Sequence, residues 1–247
     1  MSKIVSKLNE IFNESDKFNN TSRKTLEQYG NSIIKSVKLG KVPLHPAVST
    51  AVNVLTLGQM NTLQKKYGYD KLYHVFMVVQ CENSPPIVIE KNEVINIAPF
   101  NSSNSKMQFL DVNITMMQNR TLNDFILRTW RRMKGSFFIY DPFNNNCQVF
   151  LINLLQANGL WNHDYENFFF QNVSGIRNEL PSFAPKVMRK ITDIGALASR
   201  IIGRGAKNEK QCCSAFKKYM KNINETDPEK IKEHFIDFAN TKGFKYL

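Results

Sequence analysis

Tyr140–Leu155 reads YDPFNNNCQVFLINLL: three consecutive asparagines and one cysteine running into an apolar stretch. From Cys147 onward Phe150, Leu151, Leu154 and Leu155 recur at helical spacing, and Gly159 supplies a stop, so the spacing predicts a helix that buries one face. Cys147 lies on that face. Two readings of it follow. Cysteine is among the most buried residue types and packs as a small hydrophobe. If Asn145 or Asn146 caps the helix, however, Cys147 sits in the first turn, where unpaired N–H groups and the helix dipole favour a thiolate. The same N–H groups suit a developing oxyanion.

A nucleophile placed there needs a base from elsewhere in the chain. Of the four histidines, His74 lies in KLYHVFMVVQ, a β-branched and aromatic run that reads as a strand. A second strand is expected in PPIVIEKNEVINIA, across the turn-like CENSPP. A hairpin centred near Glu82 puts His74 directly opposite Glu90, on one face, where a carboxylate orients an imidazole. His45 is held between Leu44 and Pro46, His163 follows the cysteine helix in a polar turn, and His234 lies in a charged C-terminal segment.

The remaining chain divides by composition. Met1 to about Leu39 is rich in Lys, Asn and Ser and reads as short helices or a loosely held arm. KVPLHPAV forces extended backbone before each proline, and the following stretch reads as a helix ending at Gly68. KMQFLDVNITM reads as a short strand, TLNDFILRTWRRMKG as a helix capped by Thr121, and SFFIY as another short strand. After Leu180 helical patterns return, joined by a Gly-containing linker near Lys207. The expected organisation is an N-terminal arm over 1–43, a core over 44–180 and a basic helical extension over 181–247.

Composition excludes several classes. Hydrophobic residues at 42% and charged residues at 22% fit a globular chain with a sizeable core, not a disordered or fibrous one. Cys81, Cys147, Cys212 and Cys213 show neither metal-finger nor disulfide-scaffold spacing, so a reducing compartment, no metal and no cofactor are expected. MSKIVSKLNEIF lacks the apolar core of a signal peptide, and no segment approaches the ~18 apolar residues of a spanning helix. The net charge of +12 favours encounters with nucleic acid, anionic membrane or acidic protein surfaces. An AT-rich coding sequence produces the same Lys- and Asn-heavy composition.

YHVFMVV, then IVIEKNEV, and much later NNNCQVFLINLL resemble the circularly permuted papain-like superfamily, the NlpC-type fold in which the histidine strand precedes the cysteine helix. Lecithin retinol acyltransferase is a familiar member. With LTLGQM and YDKLYHVFMVV, the chain is most similar to members encoded by large DNA viruses and their satellite viruses. The resemblance covers about Leu44 to Leu180. It implies an α+β fold with an antiparallel sheet or half-barrel packed on the cysteine helix, flanked by helical extensions. It also implies a Cys147 nucleophile and a His74 base, acting on a peptide, amide or lipid ester through a thioester. The acyltransferases carry a histidine where this chain has Glu90, and a carboxylate there is equally compatible with amide or ester hydrolysis. Cys147 N–H and the Tyr140 hydroxyl are expected at the oxyanion, with Asn145 and Gln148 ordering the loop or substrate.

The same resemblance places the protein in infected-cell cytoplasm or the virion. Its alternative implication is a virion structural protein that retains the fold. Such a protein would contact capsid partners, nucleic acid or membrane through basic surfaces such as VMRKITDIGALASRIIGRG.

Overall fold

The computed structural model describes residues 18–44, 59–66, 72–92, 94–101, 105–117, 119–141 and 144–169. The expected C-terminal helices, His45, His234, Cys212 and Cys213 lie outside the described residues. The chain divides into two units, Met1–Pro43 with Tyr73–Gln171, and Leu44–Leu72 with Asn172–Leu247. In the second unit the described secondary structure is one helix, Gln59–Lys66.

The first unit is α+β. Helix α1 (Asn20–Tyr29) leads into strand β1 (Ile34–Pro43); numbering the second-unit helix α2, there follow β2 (Tyr73–Cys81), β3 (Ile87–Lys91), β4 (Ile95–Pro99) and β5 (Gln108–Val112). Helix α3 (Leu122–Met133), a 3-10 turn (Lys134–Ser136), α4 (Cys147–Ala157) and α5 (His163–Phe169) complete it. The strands form one antiparallel sheet in the order β4-β3-β2-β1-β5.

β2 is buried continuously from Val75 to Val79 because both of its faces are covered. Val75, Met77 and Val79 face the main core with Ile87, Ile89, Ile95 and Ile97, where α4 packs on β2 and β3. Phe76, Val78 and Val88 form a second cluster on the other face, with Phe100 packed against it. Helix α4 sinks Phe150, Leu151, Leu154 and Leu155 into the main core, each fully buried. Each such side chain contributes roughly 1.5–3 kcal/mol on leaving water. Gly40 is required by a close approach: it stands opposite Phe76, and a Cβ there would lie 2.3 Å from the ring.

Four sequence expectations change. The polar arm is not loose from residue 20 onward, since β1 pairs with β2 on one side and β5 on the other. Its lysines disguise a strand whose inward residues are Ile34, Val37 and Leu39. PPIVIEKNEVINIA is two strands, not one, folded back at the polar Asn92, whose N–H donates to Val94 O at 3.0 Å. SFFIY is not a strand: after the 3-10 turn its carbonyls at Ser136 and Ile139 are bonded by the Asn145 side chain, and Phe137 and Phe138 turn inward edge to face. Finally, the β2–β3 turn centres on Asn83, held at φ 54°, not on Glu82. Met77 pairs with Ile89, so extending that register sets Phe76 opposite Glu90, with His74 two residues along on the same face.

β4 is an edge strand, and α1 covers it. The buried Ser22 hydroxyl accepts from Ile97 N–H at 2.8 Å and donates to Ile95 O at 3.3 Å, satisfying groups that an open edge leaves unpaired. Among the described residues no helix is long and apolar enough to cross a membrane. Ser22→Ala is expected to orphan the Ile97 N–H and lower stability by about 1–3 kcal/mol, measured by urea unfolding; an unchanged midpoint would show that water replaces the hydroxyl without loss.

Candidate active site

Asn146 caps α4. Its side-chain oxygen accepts the N–H groups of Gln148 and Val149, both at 3.0 Å, which makes Cys147 the first helical residue. Asn145 has a different task. Its amide donates to Ser136 O at 2.7 Å and Ile139 O at 2.6 Å, and its oxygen accepts from Lys91 Nζ at 3.3 Å. Asp141 and Asn145 exchange two backbone hydrogen bonds, of 3.2 and 2.9 Å, closing the loop that delivers Cys147 to the helix. Tyr140 is half-buried just before that closure, and the Gln148 N–H is shared between the Asn146 side-chain oxygen and the Cys147 sulfur.

The thiol meets β2 where the sheet opens. The β2–β3 ladder ends at Met77 and Ile89, and beyond it the Val75 N–H donates to the Cys147 sulfur, which is also hydrogen-bonded to the His74 ring. His74 Nε2 lies 2.8 Å from Glu90 Oε2, and the two side chains are 19% and 20% exposed, so the pair is sheltered but reachable. The Phe76 ring stacks beside His74, with centroids 6.3 Å apart. Glu90 is held in turn: Asn96, its cross-strand partner, donates to Oε1 at 2.9 Å, and Asn19 donates to Asn96 Oδ1 at 3.3 Å.

These contacts set the charge state. Burial by itself would lower the basicity of His74, but hydrogen bonds and charges from Cys147 and Glu90 outweigh it, and its pKa is raised to about 10. Burial likewise pushes the Cys147 thiol up, and the bond to His74, its charge, and the N–H groups of Val75 and Gln148 bring it below the ordinary value. The pair is thereby shifted toward a thiolate beside an imidazolium. It can attack an electrophilic carbon and return a proton to a leaving group.

The structure brings together Cys147, His74 and Glu90, with Asn145 ordering the adjoining loop. His163 lies instead on the surface of α5, 3.4 Å from Glu166. Sequence reasoning missed Lys91, Asn96 and Asn19. Asn96 was legible once the chain is taken to fold back after Lys91, because Glu90 and Asn96 then face each other. Lys91 is 1% exposed, bonded to Ser136 O at 3.2 Å as well as to Asn145, with its ammonium 5.6 Å from the Phe150 ring centroid. A lysine in so polar a stretch of sequence carries no sign of such burial. Among the described residues no group of three or more His, Cys, Asp or Glu is placed to hold a metal ion.

No family model matches the chain, and no curated protein or solved structure matches it either.

Two measurements follow from these shifts. Cys147 alkylation by iodoacetamide is expected to be flat through neutral pH and to fall only in acid, whereas an ordinary thiol gains about tenfold per pH unit below its pKa. Cys81, buried and pushed up to about 11, is the internal control and should stay unlabelled at neutral pH; a Cys147 rate that climbs steadily through pH 7 to 9 would exclude the ion pair. Burial lowers the Lys91 amine from 10.5 to about 8, so between those values the unfolded chain holds a proton that the folded protein lacks. Wild-type stability should then rise relative to Lys91→Met as pH increases through that window, by up to about 3 kcal/mol, followed by chemical denaturation. A difference that stays constant with pH would mean that the buried amine keeps its proton through the window, as it does in the unfolded chain.

Proposed function

We propose that the sheet and α4 form a permuted papain-like core, and that the protein is a cysteine-dependent hydrolase or acyltransferase acting on an amide or ester bond. The observation that carries this reading is the hydrogen-bonded Cys147–His74–Glu90 series, with the thiol at the first position of a buried helix. The chain order of histidine strand, carboxylate strand and cysteine helix supports it further.

In this mechanism the Cys147 thiolate attacks the acyl carbon, forming a C–S bond while the carbonyl electrons move onto oxygen. The N–H of Cys147, which has no acceptor inside its own helix, stabilises that oxyanion, together with the Tyr140 hydroxyl. Collapse breaks the bond to the amine or alcohol, and the His74 imidazolium supplies the leaving group's proton. The thioester then remains on Cys147. Neutral His74 takes a proton from water, or from an acceptor alcohol or amine, as that group attacks. Release of the acyl product restores thiolate and imidazolium. Glu90 holds the imidazole in one tautomer and stabilises its charged form.

Protonation of the leaving group requires His74 to hold its proton, so acylation should decline above about pH 10 while the thiolate remains. Turnover of a panel of p-nitrophenyl esters and fluorogenic peptide amides should fall at least about a hundredfold in Cys147→Ala and in His74→Ala, and less in Glu90→Gln. Mass spectrometry should find a hydroxylamine-labile acyl adduct on Cys147. Turnover that survives Cys147→Ala would end the proposal.

A further inference from the structure

The hydrogen bonds behind Glu90 have a direction that a backbone amide dictates. Ser22 N–H is a donor, so Asn19, which caps α1, must present its oxygen to it, at 2.8 Å. The Asn19 amide nitrogen is thereby turned toward Asn96. Asn96 must then accept through Oδ1 and donate through Nδ2, and it donates to Glu90 Oε1. With one carboxylate oxygen held, the other receives His74 Nε2–H, which leaves Nδ1 as the ring nitrogen for the thiol. The two amides are thereby fixed in polarity, and the Glu90 carboxylate accepts from both sides.

We propose that Asn96 and Asn19 are positioning residues, which hold the Glu90 carboxylate in one orientation against the α1 N-terminus and so set the orientation of His74 toward Cys147. This rests on the reading of Cys147 and His74 as a working pair. Asn96 lies directly across from Glu90 in the β3–β4 hairpin, and Asn19 precedes the helix that covers the β4 edge. Phe18 adds a second hold: it bridges to Ile95 and packs edge to face on Phe138, with centroids 5.3 Å apart, in the segment leading to the cysteine loop. One two-residue segment therefore touches the strand bearing the relay and the segment approaching the nucleophile.

The probe is iodoacetamide alkylation of Cys147 in the full chain, measured across pH, with thermal unfolding recorded for each variant. Asn96→Leu removes the donor, and alkylation should slow about tenfold at neutral pH, the loss of one hydrogen bond to a charged group. Asn96→Asp gives a readout that a structural role would not move. While protonated, the introduced carboxyl donates to Glu90 in place of the amide, so the variant should match wild type within about threefold in mild acid.

As pH rises and that carboxyl ionises against Glu90, its rate relative to wild type should drop by about tenfold. Asn19→Ser keeps a cap for Ser22 N–H while deleting the donor to Asn96, and should cost about threefold without loss of the helix. Wild-type rates in Asn96→Leu, or a pH-independent ratio in Asn96→Asp, would overturn the inference while leaving the Cys147–His74 pair intact. An ordinary thiol rate at Cys147 in the wild-type protein would overturn both. If Asn96→Leu fails to fold, the pH ratio of Asn96→Asp decides alone.

Discussion

The Cys147 thiol and the His74 imidazole lie hydrogen-bonded in a sheltered site, and charge on either must be met by fixed groups or it would neutralise. The Cys147 side is met by two backbone N–H groups, from Val75 on β2 and Gln148 on α4, and by the imidazolium itself. The His74 side is met by Glu90, which is held by Asn96. Those donors come from elements distant in sequence, so the pair exists only when α4 is seated on the sheet. The apolar contacts of Phe150, Leu151, Leu154 and Leu155 supply that seating. Packing and electrostatics are thus coupled: seating the core helix buries the thiol and at the same time brings it against the Val75 amide and the His74 ring.

The pleat of β3 makes one short strand serve both halves of the site. Glu90 projects to the His74 face, and Lys91, the next residue, projects to the opposite face, where it fastens the 136–145 loop through Ser136 and Asn145. Consecutive opposite charges in a strand would ordinarily be solvated. Here both are enclosed, because Glu90 has two donors and Lys91 two acceptors. Lys91 also shows the cost of that arrangement, since its amine gives up much of its affinity for a proton.

Much of this was legible in sequence where one residue type answers to one local rule. Thr121 before an apolar helical pattern marked α3, and the asparagines before Cys147 marked α4, with Asn145 and Asn146 both open as its cap, because caps and periodicity act within a few residues. The shared face of His74 and Glu90 was legible too. Side chains alternate with period two, so moving both strands by one residue about the turn preserves the face while changing the direct partner. What escaped depended on contacts far along the chain. β1 hides behind lysines because its polar residues lie on the accessible positions, and its pairing partners β2 and β5 are remote in sequence. SFFIY has the composition of a strand, yet Asn145 and Lys91 take the carbonyls that a ladder would need.

The two described cysteines separate burial from reactivity. Both are buried, Cys81 at 2% exposure and Cys147 at 8%, so the general tendency of cysteine to pack as a hydrophobe holds equally for each. Cys81 ends β2 with the Ser84 hydroxyl as its polar company, and burial drives its thiol up to about 11. Cys147 suffers the same desolvation and moves the opposite way, because a cation and two amides converge on its sulfur. An inward-facing position at the start of an apolar helix is therefore compatible with either fate. What decides is the polarity of the groups that the rest of the fold aims at that position, and at Cys147 they are all donors.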